Sequence, residues 1–188
     1  VQYDVFDQER IEILAQHHHL CPFELSLDIS LICDVIICDL NYCFDPRVYL
    51  KRYFDQNSFN YTFLVDEAHN LPDRLRSMYS ALVIKTDVLK AQQLVRQNLP
   101  SISKSLTLIN RQMLGMKKEC VQKKVDCLEF DQVPENFLTA LKDFAGKADL
   151  WLDQNKDSDI RPGLLDFYFT ANIFLSISTY FNENYTFY

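Results

Sequence analysis

The sequence predicts an α/β fold that is mainly α overall, with a short α/β part followed by a large helical part. Two short runs rich in β-branched and aromatic side chains, Val35-Ile36-Ile37-Cys38 and Tyr61-Thr62-Phe63-Leu64-Val65, have the length and composition of buried strands. From Thr86 onward, apolar side chains instead recur at spacings of three and four, the period of helices with one buried face. The composition, 48% hydrophobic and 24% charged over 188 residues, suits a globular core.

At the amino-terminal end, Ile11, Leu14 and Ala15 mark a helix beginning near Glu9 and running into His17-His18-His19. Consecutive helical residues point about 100° apart, so the three imidazoles cannot face one ion from a helix. The triplet reads as a solvated helix end or a stretch near nucleic acid. Cys21-Pro22-Phe23 then opens a helix over Glu24 to Ile32. The first strand follows, and the second ends abruptly in Asp66-Glu67-Ala68-His69, ahead of a helix that starts between Asn70 and Asp73.

Beyond Arg76 the pattern is helical. Thr86 is placed to cap a helix to about Asn98, with Val88, Ala91, Val95 and Leu99 on one face. Ile102, Leu106, Ile109, Met113 and Met116 define a second, to about Lys124. Pro134 starts a third, whose stripe is Phe137, Leu141, Phe144, Ala148 and Trp151 or Leu152. The Pro162-Gly163 turn precedes a fourth, Leu164 to about Phe181, and Tyr185 to Tyr188 read as the start of a strand. Four antiparallel helices with short connections make a bundle.

Two acids at the carboxyl end of a strand lie where open α/β sheets bind ligands. Asp66-Glu67-Ala68-His69 after a strand resembles the second nucleotide-hydrolysis motif of superfamily 2 helicases, which implies phosphoryl transfer from ATP, a reaction that needs a divalent metal on the terminal phosphates and a group that orients the attacking water. Asp66 suits Mg²⁺, held through its waters, and Glu67 suits the water. The competing reading is an Asp-Glu pair favoured by the amino end of the following helix.

The order of Cys21-Pro22-Phe23, then Asn41-Tyr42 and Asp45-Pro46, then Asp66-Glu67-Ala68-His69 resembles the XPD/DinG family of superfamily 2 iron-sulfur DNA helicases, over about residues 20 to 76. The resemblance implies a partial RecA-like helicase domain 1 plus a helical Arch-type bundle, so that the fold is α/β with a large helical insertion. Residues 1–33 would end the iron-sulfur region, 34–79 would belong to the motor domain, and 80–188 would form the insertion. It also implies an ATP-dependent 5′–3′ DNA helicase of repair or replication that uses ATP, Mg²⁺ and a [4Fe-4S] cluster, with single-stranded and forked DNA as partner. His69 would couple hydrolysis to movement, and Cys21 would be the fourth cluster ligand. Phe23 would lie where the duplex opens, where base stacking is worth roughly 1–3 kcal/mol. The basic residue expected four positions further on is Leu27, so Phe23 equally reads as the anchor of its helix. Two other classes stay open: a non-enzymatic helical interaction module for protein or DNA, and a helicase fused to a nuclease.

Several motor parts are missing from the sequence. There is no Gly-x-x-x-x-Gly-Lys-Ser/Thr loop, and Gly146-Lys147 is followed by Ala148 with no glycine-rich turn before it. Residues 1 to 20 hold no cysteine and the chain begins with Val, so it is expected to be a piece of a longer protein, inactive alone. Cys33, Cys38 and Cys43 recur every five residues, unlike zinc or ferredoxin spacings, and are expected to be buried thiols; Cys120 and Cys127 receive no role. No apolar stretch reaches membrane-spanning length, and residues 1–20 hold no basic-then-apolar run resembling a signal peptide. With free thiols, this leads to an intracellular expectation, cytoplasmic if bacterial and nuclear if eukaryotic. The net charge of −7 argues against a broadly basic nucleic-acid surface, although Arg111, Lys117, Lys118, Lys123 and Lys124 form a local cluster that suits a solvated helix face or a DNA path.

Overall fold

The computed structural model describes residues 5–54 and 61–188. The chain divides into two compact units, Val1–Ala68 and His69–Tyr188.

In the first unit, α1 (Gln8–His17) starts where Asp7 accepts a hydrogen bond from the Arg10 backbone N–H at 3.0 Å, which satisfies one of the orphan donors of the first turn. It ends at the histidine triplet. His19 takes a left-handed backbone (φ 54°), and the Leu20 N–H returns to the Ala15 carbonyl at 2.8 Å, the six-to-one bond that closes a helix carboxyl end. The three imidazoles are exposed, as expected of a solvated helix end. α2 (Pro22–Ser30) packs on α1 and begins with Pro22, whose missing N–H costs nothing in a first turn. Two short helices follow, α3 (Asn41–Phe44) and α4 (Lys51–Phe54). Tyr53 ties α4 to α2: its hydroxyl bonds the Ser30 hydroxyl and donates to the Leu27 carbonyl at 3.3 Å.

The expected strands do not form among the described residues. Residues 35–39 and 61–65 belong to no helix or strand, with Val35 77%, Ile37 96% and Leu64 95% exposed. A strand satisfies its N–H and C=O groups only against a neighbouring strand, and the described residues supply none. The thiol expectation fails for the same reason. Without a sheet to cover them, Cys33 and Cys38 are exposed and Cys43 is half-buried. The RecA-like α/β arrangement is therefore absent from the described structure, which is mainly helical.

The second unit holds α5 (Leu71–Met78), α6 (Lys85–Val95), α7 (Pro100–Lys123), α8 (Glu135–Gln154) and α9 (Arg161–Ser178). α6 packs on α7, α7 on α8, α8 on α9, and α9 back on α6, which closes a four-helix bundle. Its core joins the three predicted stripes, Val88, Ala91 and Val95, then Ile102, Leu106 and Ile109, then Phe137, Leu141, Phe144, Ala148 and Leu152, to Leu164, Phe167, Ala171 and Phe174 of α9, a face not foreseen from the sequence; Leu99, Met113 and Met116 are half-buried against it. Of the two candidates at the end of α8, Leu152 is buried and Trp151 only half-buried.

Three local expectations shift. Thr86 lies inside α6, whose cap position is Ile84 with no side-chain bond. Pro162 and Gly163 form the first turn of α9 rather than a preceding turn. A Cβ at Gly163 would lie 2.8 Å from Leu94 Cδ2, so the glycine lets α9 approach α6. Residues 185–188 form no strand but one antiparallel bridge, with the Phe130 N–H donating to the Phe187 carbonyl at 2.9 Å. Phe187 also meets the rings of Phe137 and Phe174 at 6.1 and 6.2 Å.

Gly146 and Lys147 lie within α8, a placement no phosphate loop has. The Lys147 ammonium donates to Asp143 Oδ2 at 2.6 Å and to the Ser105 hydroxyl at 3.1 Å, while Ser105 donates to the same carboxylate oxygen at 2.6 Å. This triad joins α7 to α8 around the one buried hydroxyl of the core. Among the described residues, no helix is long and apolar enough to cross a membrane.

Candidate functional site

Asp66 and Glu67 occupy one exposed turn at the end of the apolar run. The Glu67 N–H donates to Asp66 Oδ1 at 2.8 Å, and Glu67 adopts a left-handed backbone with φ 52°. For a side chain other than glycine or asparagine this conformation is uncommon, costs of order 1–3 kcal/mol, and concentrates at functional sites. The turn sets the two carboxylates side by side in the chain and leaves both facing solvent. His69 follows in the 3-10 turn Ala68–Asn70 and is also exposed. Asp73, in the first turn of α5, pairs with Arg76 at 2.6 Å.

Cys21 is the residue before α2. Its backbone is extended (φ −73°, ψ 124°), its thiol makes no capping bond, and it is exposed. Phe23, 48% exposed, lies in the first turn of α2 against Tyr42 of α3, with ring centroids 6.3 Å apart. Leu27 carries no charge to this region; its carbonyl receives the Ser30 and Tyr53 hydroxyls.

The residues present fit part of a Mg²⁺-nucleotide site. An exposed carboxylate pair matches the one or two carboxylates that Mg²⁺ takes alongside phosphate oxygens and water. They do not fit a complete iron-sulfur site, which needs four thiolates. Among the described residues, no three His, Cys, Asp or Glu side chains gather as metal ligands, and Cys21 stands as a single thiol.

Two arrangements were not foreseen. Asp45 is buried, and Arg47 holds it through Nε to Oδ1 (2.8 Å), Nη2 to Oδ2 (2.5 Å) and its backbone N–H to Oδ1 (2.9 Å). The Arg47 side chain beside it holds the Asp45 carboxyl below the usual carboxylate range. Asp-Pro-Arg carried the signal, since Asp before a turn bonds the backbone two residues on. The sulfurs of Cys38 and Cys43 also lie 3.8 Å apart, and burial followed by the Cys38 contact pushes the Cys43 thiol up to about 11.

The DEAD_2 family model matches residues 1–88, which include every one of these positions and stop within α6. No curated protein and no solved structure matched the chain.

Proposed function

We propose, on the premise that residues 1–88 are the DEAD_2 region of an XPD/DinG-type helicase, that the chain is the central part of an ATP-dependent DNA helicase that moves 5′ to 3′ in DNA repair or replication. The observation that carries this reading is the exposed Asp66-Glu67 turn within the matched region.

Mg²⁺-ATP, when bound, supplies the phosphoryl group and the charge that offsets its transfer. Asp66 would help to hold the metal, Glu67 would orient the attacking water and receive its proton, and His69 would link this turn to the moving parts of the motor. Cys21 would offer one thiolate to a [4Fe-4S] cluster, whose remaining ligands would have to come from elsewhere in the protein. Phe23 stacks on a base at the opening fork. The bundle within 80–188 serves as an Arch-type insertion over the DNA, a role assigned from its position after the Asp-Glu-Ala-His turn.

The test uses the full-length protein. Glu67→Gln is expected to lower ATP turnover by roughly 10²-fold or more, the usual range for a lost general base, while nucleotide binding persists. Unwinding is expected on a duplex with a 5′ single-stranded tail and not on one with a 3′ tail. Unchanged turnover in Glu67→Gln would remove the carboxylate from the mechanism. The 188-residue chain alone, which has no phosphate loop, is expected neither to hydrolyse ATP nor to unwind DNA.

A further inference from the structure

We infer that Cys38 and Cys43 form a reversible dithiol–disulfide pair, a redox-modification site in the segment between α2 and α4. Their sulfurs are 3.8 Å apart, against about 2.05 Å in a disulfide, so closure needs a movement of under about 2 Å. Cys38 can supply that movement because it lies in segment 35–39, which belongs to no helix or strand. Cys43 is held on α3 by its N–H bond to the Leu40 carbonyl at 3.1 Å, beside Tyr42, whose carbonyl accepts the Leu50 N–H at 3.0 Å. Exposure divides the roles: Cys38 is open to an oxidant, whereas Cys43 is half-buried and reached through Cys38.

Spacing alone would pair Cys33 with Cys38 just as well. The geometry separates them, because the Cys33 thiol points back to the Ile29 carbonyl at 3.6 Å.

The co-reactant is a low-molecular-weight disulfide such as oxidised glutathione. The Cys38 thiolate attacks one of its sulfurs, breaks its S–S bond and releases one glutathione, which takes up a proton. The Cys43 thiolate then attacks Cys38 Sγ, forms the protein disulfide and releases the second glutathione. Two protein thiols lose two electrons and two protons, and one disulfide becomes two thiols. The new bond fastens segment 35–39 to α3. Tyr42 of α3, next to Cys43, meets Phe23 in the first turn of α2, with ring centroids 6.3 Å apart.

The full chain is equilibrated with glutathione mixtures of rising oxidised fraction, its free thiols are alkylated, and it is cleaved on the amino side of aspartate. Cuts before Asp34, Asp39 and Asp45 put Cys33, Cys38 and Cys43 on three separate peptides. The expected product is a 34–38 peptide joined to a 39–44 peptide, with two of the six thiols lost and no glutathione retained. Cys33→Ser should behave like the parent. Cys43→Ser should stop at a glutathione adduct on Cys38, and Cys38→Ser should leave Cys43 alkylated. A Cys33–Cys38 linkage, or a persistent adduct on Cys38 in the unsubstituted chain, would overturn the pair. Far-ultraviolet circular dichroism of each variant confirms that the bundle is folded when the thiols are read.

Discussion

The unit that carries the recognisable chemistry and the unit that carries the core are different. In His69–Tyr188 the side chains of Val88, Leu106, Ile109, Leu141, Phe144 and Leu164 are fully removed from solvent. In Val1–Ala68 the buried hydrophobic side chains among the described residues are Ala15 and Tyr53, while Ile37 and Leu64 stand almost entirely exposed. A helix satisfies its own backbone, so four amphipathic stripes need only each other to close a core. The runs at 35–38 and 61–65 have no such independence. As strands they would need partners to cover their apolar side chains and bond their backbone groups, and the Asp66-Glu67 turn sits at the end of one of them.

The sharpest way to break this contrast is in the bundle. Phe144 lies at the centre of α8, its ring 5.0 Å from that of Phe167. Phe144→Ala should cost about 3–5 kcal/mol, from lost burial plus the cavity left behind. Urea unfolding followed by the helical signal measures it. A loss under about 1 kcal/mol would mean that the four stripes are not close-packed.

The next effect belongs to the first unit, where a polar contact does what the core does in the second. Arg47→Met removes both side-chain bonds to Asp45, whose side chain is only 5% exposed. Because the arginine itself is 36% exposed and water can replace part of it, the expected cost is about 1–3 kcal/mol, below that of breaking a fully buried pair. Hydrogen exchange of the amides in residues 42–50 should accelerate, while those of α7 and α8 stay protected. Equal acceleration in the bundle would show that the two units unfold together.

These contrasts also explain what was legible in the sequence. The stripes of α6 to α8 and the existence of α9 could be read because helix periodicity is local, and the boundaries moved by only a few residues. The strand expectation at 35–38 and 61–65 rested on composition, which does not say where a partner strand comes from. Asp66, Glu67, His69, Cys21 and Phe23 were singled out by the order of short motifs, and nothing in their local pattern distinguished Glu67 as the residue that takes a left-handed backbone. The Cys38–Cys43 approach was hidden because Cys33 and Cys38 share its spacing. Ser105 was invisible for another reason: a serine inside an apolar stripe has no sequence partner until α8 brings Asp143 and Lys147 to it.

That triad gives a smaller, pH-dependent effect. The Lys147 bond first, and the Ser105 bond second, lower the Asp143 carboxyl below its ordinary value. A depressed folded-state value means that the stabilisation is present above the unfolded carboxyl value, about 3.9, and is lost as pH falls through the lower folded value. Asp143 is 40% exposed, so solvent screens the pair, and Asp143→Asn should cost about 1 kcal/mol near neutral pH. The difference between variant and parent in urea midpoint should shrink as the pH falls below about 4. A difference that stays constant to low pH would mean that packing, not charge, accounts for it.

The smallest effect is the one that tests the comparison most directly. Ile37 and Leu64 are 96% and 95% exposed, so Ile37→Ser and Leu64→Ser in this chain should change stability by no more than about 0.5 kcal/mol. In a protein where flanking strands cover these runs, each substitution would lose the burial of a large aliphatic side chain, about 1.5–3 kcal/mol. Measuring both variants in the 188-residue chain and in the longer helicase proposed above therefore separates two causes of the same exposed surface. A cost that appears only in the longer protein means that the Asp66-Glu67 turn stands at the end of a buried strand, where its carboxylates are held in place. A negligible cost in both means that the turn is carried by an open segment and that the left-handed Glu67 backbone is what positions it.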